Sequence, residues 1–224
     1  MKFKSHVATQ VSGSTGGTTY AQNQGGMYMR ARSIPTNPNS PGQQALRNVF
    51  KGIMNAWTNT LTAAQRAAWD VYSVNVKFID KLGSSISIGG VANYVRSNTP
   101  RVQNAQSRID NAPTVFNVGA FTQPTFAITH ASTSMVATFT AGDSWNVAGG
   151  AMFLYASRPQ NQAINFFKGP FRLVGVIAGT ATSPQTFVLP FMAGTTASAM
   201  FIKTSLSQPD GRLSSPSIVK STPV

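Results

Sequence analysis

The sequence predicts an α+β protein in three successive parts: an extended N-terminal arm, a small helical unit and a β-sandwich of seven strands. Glycines and polar residues dominate the first 39 residues, and two helix-capping patterns precede apolar stripes between residues 40 and 112. From residue 113 onward, short apolar runs alternate with turn residues. We therefore expect an arm at 1–39, a helical unit at 40–112 and a sandwich domain at 113–224.

The arm has five glycines among Ser, Thr, Gln and Asn residues, and too little apolar surface to offset the entropy lost on ordering. Alone it is expected to be disordered, so we predict that it gains its shape on a surface other than its own. Segments 18–21 and 27–32 alternate as strands do, and they suit addition to a sheet edge in this subunit or an adjacent one.

The arm also carries the predicted partner interface. It combines aromatic, flexible apolar and forked cationic side chains, a mixture enriched where proteins bind one another. The predicted interface residues are Tyr20, Met27, Tyr28, Met29, Arg30 and Arg32. The alternative interpretation is that these side chains fold back over the core of their own subunit.

Two capping boxes begin the first two helices, because Ser40 with Gln43 and Thr62 with Gln65 have the spacing of reciprocal caps. Behind the first cap, apolar residues recur at i, i+3, i+4, i+7, i+8 and i+11 and so share one helix face. They are Leu46, Val49, Phe50, Ile53, Met54 and Trp57.

The second helix directs Trp69, Tyr72 and Val76 inward. A short third helix is expected to begin at Gly90 and to be stopped by Pro100, since proline lacks the backbone N–H that a helix interior requires. These helices predict a small helical unit with arginines and a lysine on or near its polar faces.

Seven apolar and β-branched runs predict the strands of the last part, with turn residues between them. The predicted strands are 126–129, 135–140, 151–157, 171–178, 186–189, 199–204 and 217–219. The pair Asp210-Gly211 predicts a hairpin turn between the last two strands. The three phenylalanines in 166–171 are expected in the sandwich interior, and Trp145 on the rim of the core.

This strand spacing resembles that of an immunoglobulin-like or fibronectin type III sandwich, without the cysteine pair of antibody domains. The last hairpin, formed by residues 199–203 and 210–216, is similar to the final strand pair of fibronectin type III domains. The resemblance implies the fold of residues 113–224 and no activity.

The front half resembles a group of small virion-associated proteins encoded in tailed-bacteriophage and prophage genomes, whose role is mostly unassigned. The resemblance lies in Arg30-Ala31-Arg32, Pro35, Asn37-Pro38, Gln43, Arg47, Trp57, Leu61-Thr62, Gln65-Arg66, Trp69, Tyr94-Val95-Arg96 and Asn98. It covers roughly 70 residues. It implies a component of a virion or of its assembly, with no catalytic residues to carry over.

The composition is strongly basic, with 18 lysines and arginines against five aspartates and a net charge of +13. Residues 1–110 hold twelve of these cations and three of the acids. Phosphate neutralisation favours nucleic-acid binding by such chains, but the cations are scattered singly instead of clustered on one helix or patch. An acidic protein surface is therefore the favoured partner, and nucleic acid the less favoured one.

No residue pattern predicts catalysis or a metal site. His6 and His130 are the only histidines, and His130 with Ser132 and Asp143 lacks the context of a nucleophile elbow. Five scattered aspartates and no cysteine provide neither a calcium pair nor a zinc set. We expect no cofactor and no enzymatic activity.

These features predict a non-enzymatic structural protein of a tailed-phage virion, with a capsid cement or decoration subunit as the favoured role. Its partners would be the major capsid protein or other virion subunits, bound through the arm and helical unit. The chain itself would be a homo-oligomer or present in multiple copies in the assembly. No apolar run is long enough to span a membrane and none follows the basic N-terminus as in a secretory signal, so assembly in the host cytoplasm is expected. The alternatives are a neck or tail structural protein and a basic nucleic-acid-binding protein. The latter would use Arg30, Arg32, Arg47, Lys51, Arg66, Arg96, Arg101 and Arg108.

Overall fold

The computed structural model describes residues 11–34, 36–80, 82–117, 121–129, 131–195 and 197–223. These residues form three helices and several antiparallel sheets, a mixed α/β architecture. By compactness the chain divides into two units, residues 1–95 and 96–224. The predicted division into 1–39, 40–112 and 113–224 remains a prediction. Within the described residues, no helix is long and apolar enough to cross a bilayer.

The predicted arm contains an antiparallel sheet of its own. Strands β1 (Gly13–Thr15), β2 (Thr18–Asn23) and β3 (Gly26–Ala31) lie in the order β1-β2-β3. Gly16 and Gly17 join β1 to β2 with φ of 54° and 81°, values that suit the tight two-residue turn of a hairpin. The expectation of an extended arm is therefore wrong for residues 13–31, because its two alternating segments pair with each other.

Both predicted capping boxes are confirmed. Helix α1 (Pro41–Asn59) begins where the Ser40 hydroxyl accepts from the Gln43 backbone at 3.4 Å and the Gln43 side chain accepts from the Ser40 backbone at 3.3 Å. Helix α2 (Ala63–Asn75) repeats the pattern with Thr62 and Gln65, at 3.2 and 2.9 Å. Each box satisfies two helix-terminal donors, so these ends are fixed by local sequence.

Aromatic side chains form the core of the helical part. The Trp69 ring lies 5.6 Å from Tyr72 and 5.5 Å from Tyr94, centroid to centroid, in edge-to-face contacts. Trp57 lies 5.4 Å from Tyr94. Trp69 and Tyr94 are fully buried, so these rings join α1, α2 and the beginning of helix α3 (Gly90–Gln103). A short hairpin of β4 (Phe78–Ile79) and β5 (Ser85–Ile86) precedes α3.

Helix α3 continues through Pro100, so the predicted stop at that residue is wrong. The helix is held beyond the proline by contacts that its sequence pattern does not show. The Asn98 amide accepts from Ile109 N at 2.7 Å and donates to Ile109 O at 2.9 Å, and Asn104 donates to the Pro100 carbonyl at 2.7 Å. These bonds offset the loss of one helical donor.

All seven strands predicted for residues 113–224 are confirmed to within a few residues. They are β6 (Thr125–Ile128), β7 (Ser134–Thr138), β8 (Ala151–Ala156), β10 (Arg172–Ala178), β11 (Gln185–Val188), β12 (Ser198–Ser207) and β13 (Ser217–Ser221). A two-residue strand, β9 (Gln160–Asn161), also pairs with β12. The turn at Asp210-Gly211 joins β12 to β13 as predicted, with Gly211 at φ 93°.

The strands form two sheets, of order β11-β7-β6 and β10-β8-β12-β13. One hydrophobic cluster draws residues from both sheets, including Ile128 and Met135 of the first and Leu154 and Ile202 of the second. Trp145 is fully buried in this cluster and not on its rim. The core of this unit therefore lies between the two sheets.

The second sheet is also covered on its other face. Alternation places Phe153 and Phe201 opposite the inward-facing Leu154 and Ile202, yet both phenylalanines are buried. Phe167 stacks on Phe201 with ring centroids 5.5 Å apart. The expectation that residues 166–171 lie in the sandwich interior is therefore wrong, because Phe167 packs on the outer face and Phe166 is 77% exposed.

Candidate partner-binding surface

The arm sheet sorts the predicted interface residues onto two faces. Tyr20 is opposite Met29, and Met27 is two residues along the same strand, so these three side chains share one face. Tyr28 and Arg30 lie on the other face. Arg32 follows β3, with its backbone N–H donating to Gly17 O. The structure thus brings three of the six predicted residues together as an apolar group.

Burial distinguishes this sheet from those of the second unit. No residue among 11–34 is buried, and Tyr20, Met27, Tyr28 and Met29 are all half-buried. Strand β3 is an edge strand, which presents backbone groups to an added chain. A three-stranded sheet needs an apolar face or a packed helix for stability of its own. Open faces and an open edge therefore make this sheet a candidate binding surface.

The first turns of α1 present further exposed apolar side chains. Leu46 is 45% exposed and Phe50 is 50% exposed, whereas Ile53 is 1% exposed on the same apolar stripe. The periodicity of the sequence predicted one apolar face along α1. In the structure, only the C-terminal half of that face is buried by the other helices. Half of the stripe is thus available to contact another chain.

The cations proposed for phosphate contact are largely engaged within the chain. Arg66 donates to the carbonyls of Trp57 and Leu61 at 3.2 and 2.6 Å. Arg108 pairs with Asp110 at 2.5 Å.

Arg96 and Arg101 are also engaged. Arg96 donates to the carbonyls of Leu213 and Ser214 at 3.2 and 3.3 Å, and Arg101 is 3% exposed. Arg47 donates to the side chains of Asn37 and Asn39 at 2.8 and 3.4 Å, so five of the eight proposed phosphate-binding cations bind groups of the chain itself.

Of the residues considered for catalysis, the structure describes Ser132 and Asp143, and each makes its own contacts. The Asp143 carboxylate accepts from the Thr122 backbone at 3.0 Å, and the Ser132 hydroxyl accepts from Ser134 N at 3.1 Å. The first contact joins two segments 21 residues apart, and the second stabilises a local turn. His6 and His130 lie outside the described residues. Within the described part of the chain, no three His, Cys, Asp or Glu residues are grouped to hold a metal.

Sequence reasoning missed a cleft on the outer face of the second sheet. It has a volume of about 320 Å³ and is lined by Lys203 and Tyr155, which are cross-strand neighbours, and by residues of α3 and of the β12–β13 connection. The available indication was a lysine inside the apolar run of β12. Burial lowers the pKa of the Lys203 ammonium and raises the pKa of the Tyr155 phenol.

Comparisons with known proteins found little similarity to this chain. No family model matches the sequence. No curated protein matches it either. A solved structure titled "Myokine structure" is similar over 48% of this chain and 100% of its own, with 15% identity and a TM-score of 0.29.

Proposed function

We propose that this chain is a non-enzymatic assembly protein that binds neighbouring subunits through its N-terminal sheet and the exposed stripe of α1. The observation that carries the proposal is the absence of any buried residue from 11–34, although these residues form a regular sheet with Tyr20, Met27 and Met29 on one face. Covering those residues with another chain would remove apolar area from water, which is the main driving force of association.

The virion assignment rests on the sequence resemblance of the front half to tailed-phage proteins. Within it, the favoured role is a capsid cement or decoration subunit, with a neck or tail protein as the alternative. A net charge of +13 favours an acidic surface as the partner, because charge complementarity speeds encounter and excludes wrong partners. Repeated copies would multiply weak contacts into stable attachment.

We also propose that the second unit is a sandwich of the fibronectin type III kind. Strands β6, β7 and β11 form one sheet, and β10, β8, β12 and β13 form the other. With β9 left out, these are the first, second and fifth strands of the unit in one sheet and the remaining four in the other. That order, together with the shared buried cluster, supports the resemblance found in the last hairpin. Such a domain would act as a compact body that the N-terminal part attaches to a surface.

A nucleic-acid-binding role is the less favoured candidate, since Arg66, Arg96, Arg101 and Arg108 already hold groups of the chain itself. Binding driven by phosphate contact would fall steeply with added salt. Failure to bind DNA at low salt would remove this candidate.

The test of the virion role is a copy count. Particles of the phage that encodes the chain are purified, and the chain is quantified against the major capsid protein by mass spectrometry. Cement predicts many copies, in simple proportion to the capsid protein, and a neck or tail protein predicts a small fixed number. Absence of the chain from particles would contradict both.

A further inference from the structure

Lys203 lines the outer-face cleft and forms no ion pair in the described part of the chain. Its Nζ lies 4.4 Å from the centroid of the Tyr155 ring and 5.2 Å from that of Phe171. Cation–π contacts of this kind stabilise an ammonium, but they satisfy none of its three hydrogen-bond donors. The side chain is half-buried, and removing a charge from water is costly unless it is paired.

No aspartate described in the second unit is left over to serve as that counterion. Asp110 is paired with Arg108 and Asp210 with Arg212, at 2.5 and 2.7 Å. Asp143 accepts from Thr122. None of these three carboxylates forms a described ion pair with Lys203, so an added ligand can supply its anion.

The walls of the cleft are suited to an anion. Hydroxyl and amide side chains line the cleft together with Lys203, and no carboxylate lines it among the described residues. The polar lining residues besides Lys203 are Arg96, Thr99, Gln103, Tyr155, Ser205 and Ser214. Leu213 and two prolines, Pro100 and Pro216, provide apolar wall, so the cleft combines polar anchors with a surface for carbon atoms.

The donors available in the cleft favour one class of anion. Both Nη atoms of Arg96 donate to backbone carbonyls, of Leu213 and Ser214, so this guanidinium adds positive charge to the cleft while these donors are directed to the chain itself. Lys203 is the lining cation whose ammonium has three donors to offer a ligand. A carboxylate presents two acceptor oxygens to this ammonium and the hydroxyls of the lining, whereas a phosphate presents three and close to two negative charges.

We propose that the cleft formed by Lys203, Tyr155 and Ser205 on strands β8 and β12 is a binding site for a carboxylate. The carboxylate would accept from the Lys203 ammonium and the surrounding hydroxyls, and its carbon chain would contact Leu213 and Pro216. Two sources offer this chemistry: the acidic side chain of a partner polypeptide, or a free small carboxylic acid. The ligand class follows from the cleft and does not depend on the virion assignment.

The test uses the full chain and follows the Hε and Cε signals of Lys203 by NMR, identified by their loss in Lys203→Met. Probes are added at constant ionic strength: a short capped peptide whose one carboxylate is an aspartate, the same peptide with asparagine, sodium butyrate and sodium phosphate. A saturable shift with the aspartate peptide or with butyrate, and none with the asparagine peptide, is expected. The source is the polypeptide if the aspartate peptide binds more tightly than butyrate, and a free acid if the order is reversed.

Matched variants test the assignment to Lys203. Lys203→Met is expected to weaken binding at least tenfold, measured by calorimetry. Lys220→Met removes the same charge from the same face, where Lys220 is held by Gln162 and Asn165, and should leave binding unchanged. Tyr155→Phe serves as a second variant that keeps the charge, with an expected loss of a few-fold. Absence of a saturable shift, equal binding of the asparagine peptide, tighter binding of phosphate or equal loss in Lys220→Met would each overturn the proposal.

Discussion

The buried guanidinium of Arg101 donates through Nη1 to the hydroxyl of Ser207 at 2.9 Å, at the end of strand β12. The same Nη1 donates to the carbonyl of Gly149 at 3.0 Å, and Nε donates to the carbonyl of Ser107 at 2.9 Å. Burial lowers the pKa of this guanidinium. The C-terminal half of α3 is thus tied to the sheet that contains β12 by a cation that has neutral partners.

Replacing Arg101 by Met should destabilise the second unit, because the Gly149 carbonyl and the Ser207 hydroxyl lose a charged donor. The expected loss is about 1.5–3 kcal/mol in the free energy of unfolding. Hydrogen exchange measured by mass spectrometry should show faster exchange in β8 and β12.

The control is Arg108→Met, which removes an arginine from a pair whose side chains are 31% and 30% exposed. Its expected cost is about 0–1 kcal/mol, as for other exposed ion pairs. If the two substitutions lowered the free energy of unfolding equally, the buried contacts of Arg101 would contribute no more stability than the Arg108 ion pair.

Gly90 permits a close approach of α3 to α2. A Cβ at this position would lie 2.8 Å from Asp70 N and 2.9 Å from the Trp69 carbonyl carbon, closer than packed atoms allow. Gly90→Ala should therefore destabilise the first unit by about 1–3 kcal/mol, as overpacking does. Urea unfolding followed by tryptophan fluorescence measures the change.

Gly52→Ala is the matched substitution, because a Cβ at Gly52 meets nothing within 4 Å. In the exposed middle of α1, alanine should stabilise the protein by up to about 1 kcal/mol through helix propensity. A stabilising Gly90→Ala would contradict the packing of α3 on α2.

The stability of the second unit should depend on the ionisation of Lys203 at alkaline pH. Burial lowers its pKa, so the unfolded state binds more protons in the window below the ordinary lysine pKa of about 10.4. Stability should rise with pH through that window, up to the ordinary value. The variant Tyr155→Phe removes the opposing effect of the phenol, whose raised pKa lowers stability above about pH 10.

The measurement compares urea unfolding of Tyr155→Phe with that of Tyr155→Phe/Lys203→Met from pH 8 to 11. Their difference should grow in favour of the lysine-containing protein as pH rises. Arg96 also lines the cleft and stays charged across this range. If the difference in the free energy of unfolding did not change with pH, the ammonium of Lys203 would be fully solvated in the folded protein.

The exposed half of the α1 stripe should serve binding more than folding. Leu46→Ala/Phe50→Ala should change the free energy of unfolding by no more than about 0.5 kcal/mol, as surface substitutions do, and should weaken particle binding at least tenfold. Ile53→Ala, one turn further, should cost about 2–5 kcal/mol. Severe unfolding in the double variant would place these residues in a core.

The local features of the sequence predicted much of the fold. The caps at Ser40 and Thr62 and the turn at Asp210-Gly211 depend on residues close in the chain, and the structure has each of them. The predicted helix stop at Pro100 was wrong because contacts with residues outside the helix hold it beyond the proline. Arg101 donates to the carbonyl of Gly149, and Asn98 donates to the carbonyl of Ile109.

The candidate sites were harder to predict. Composition indicated that residues 20–32 are an interface, but their division between two faces needed the register of β2 with β3. The cleft at Lys203 depends on Tyr155, which is 48 residues away in sequence but opposite it in the sheet. A lysine within an apolar strand indicates that its ammonium has particular neighbours, but only the fold shows which residues these are.

Cosedimentation with purified particles that lack the chain tests most directly whether the N-terminal sheet binds a partner. The full chain is compared with Met27→Ser/Met29→Ser, on the apolar face of β3, and with Val188→Ser, which removes an apolar side chain that is 74% exposed in the second unit. The double variant should bind at least tenfold more weakly than the full chain, and Val188→Ser should bind equally well. Undiminished binding of the folded double variant would contradict the role of the sheet.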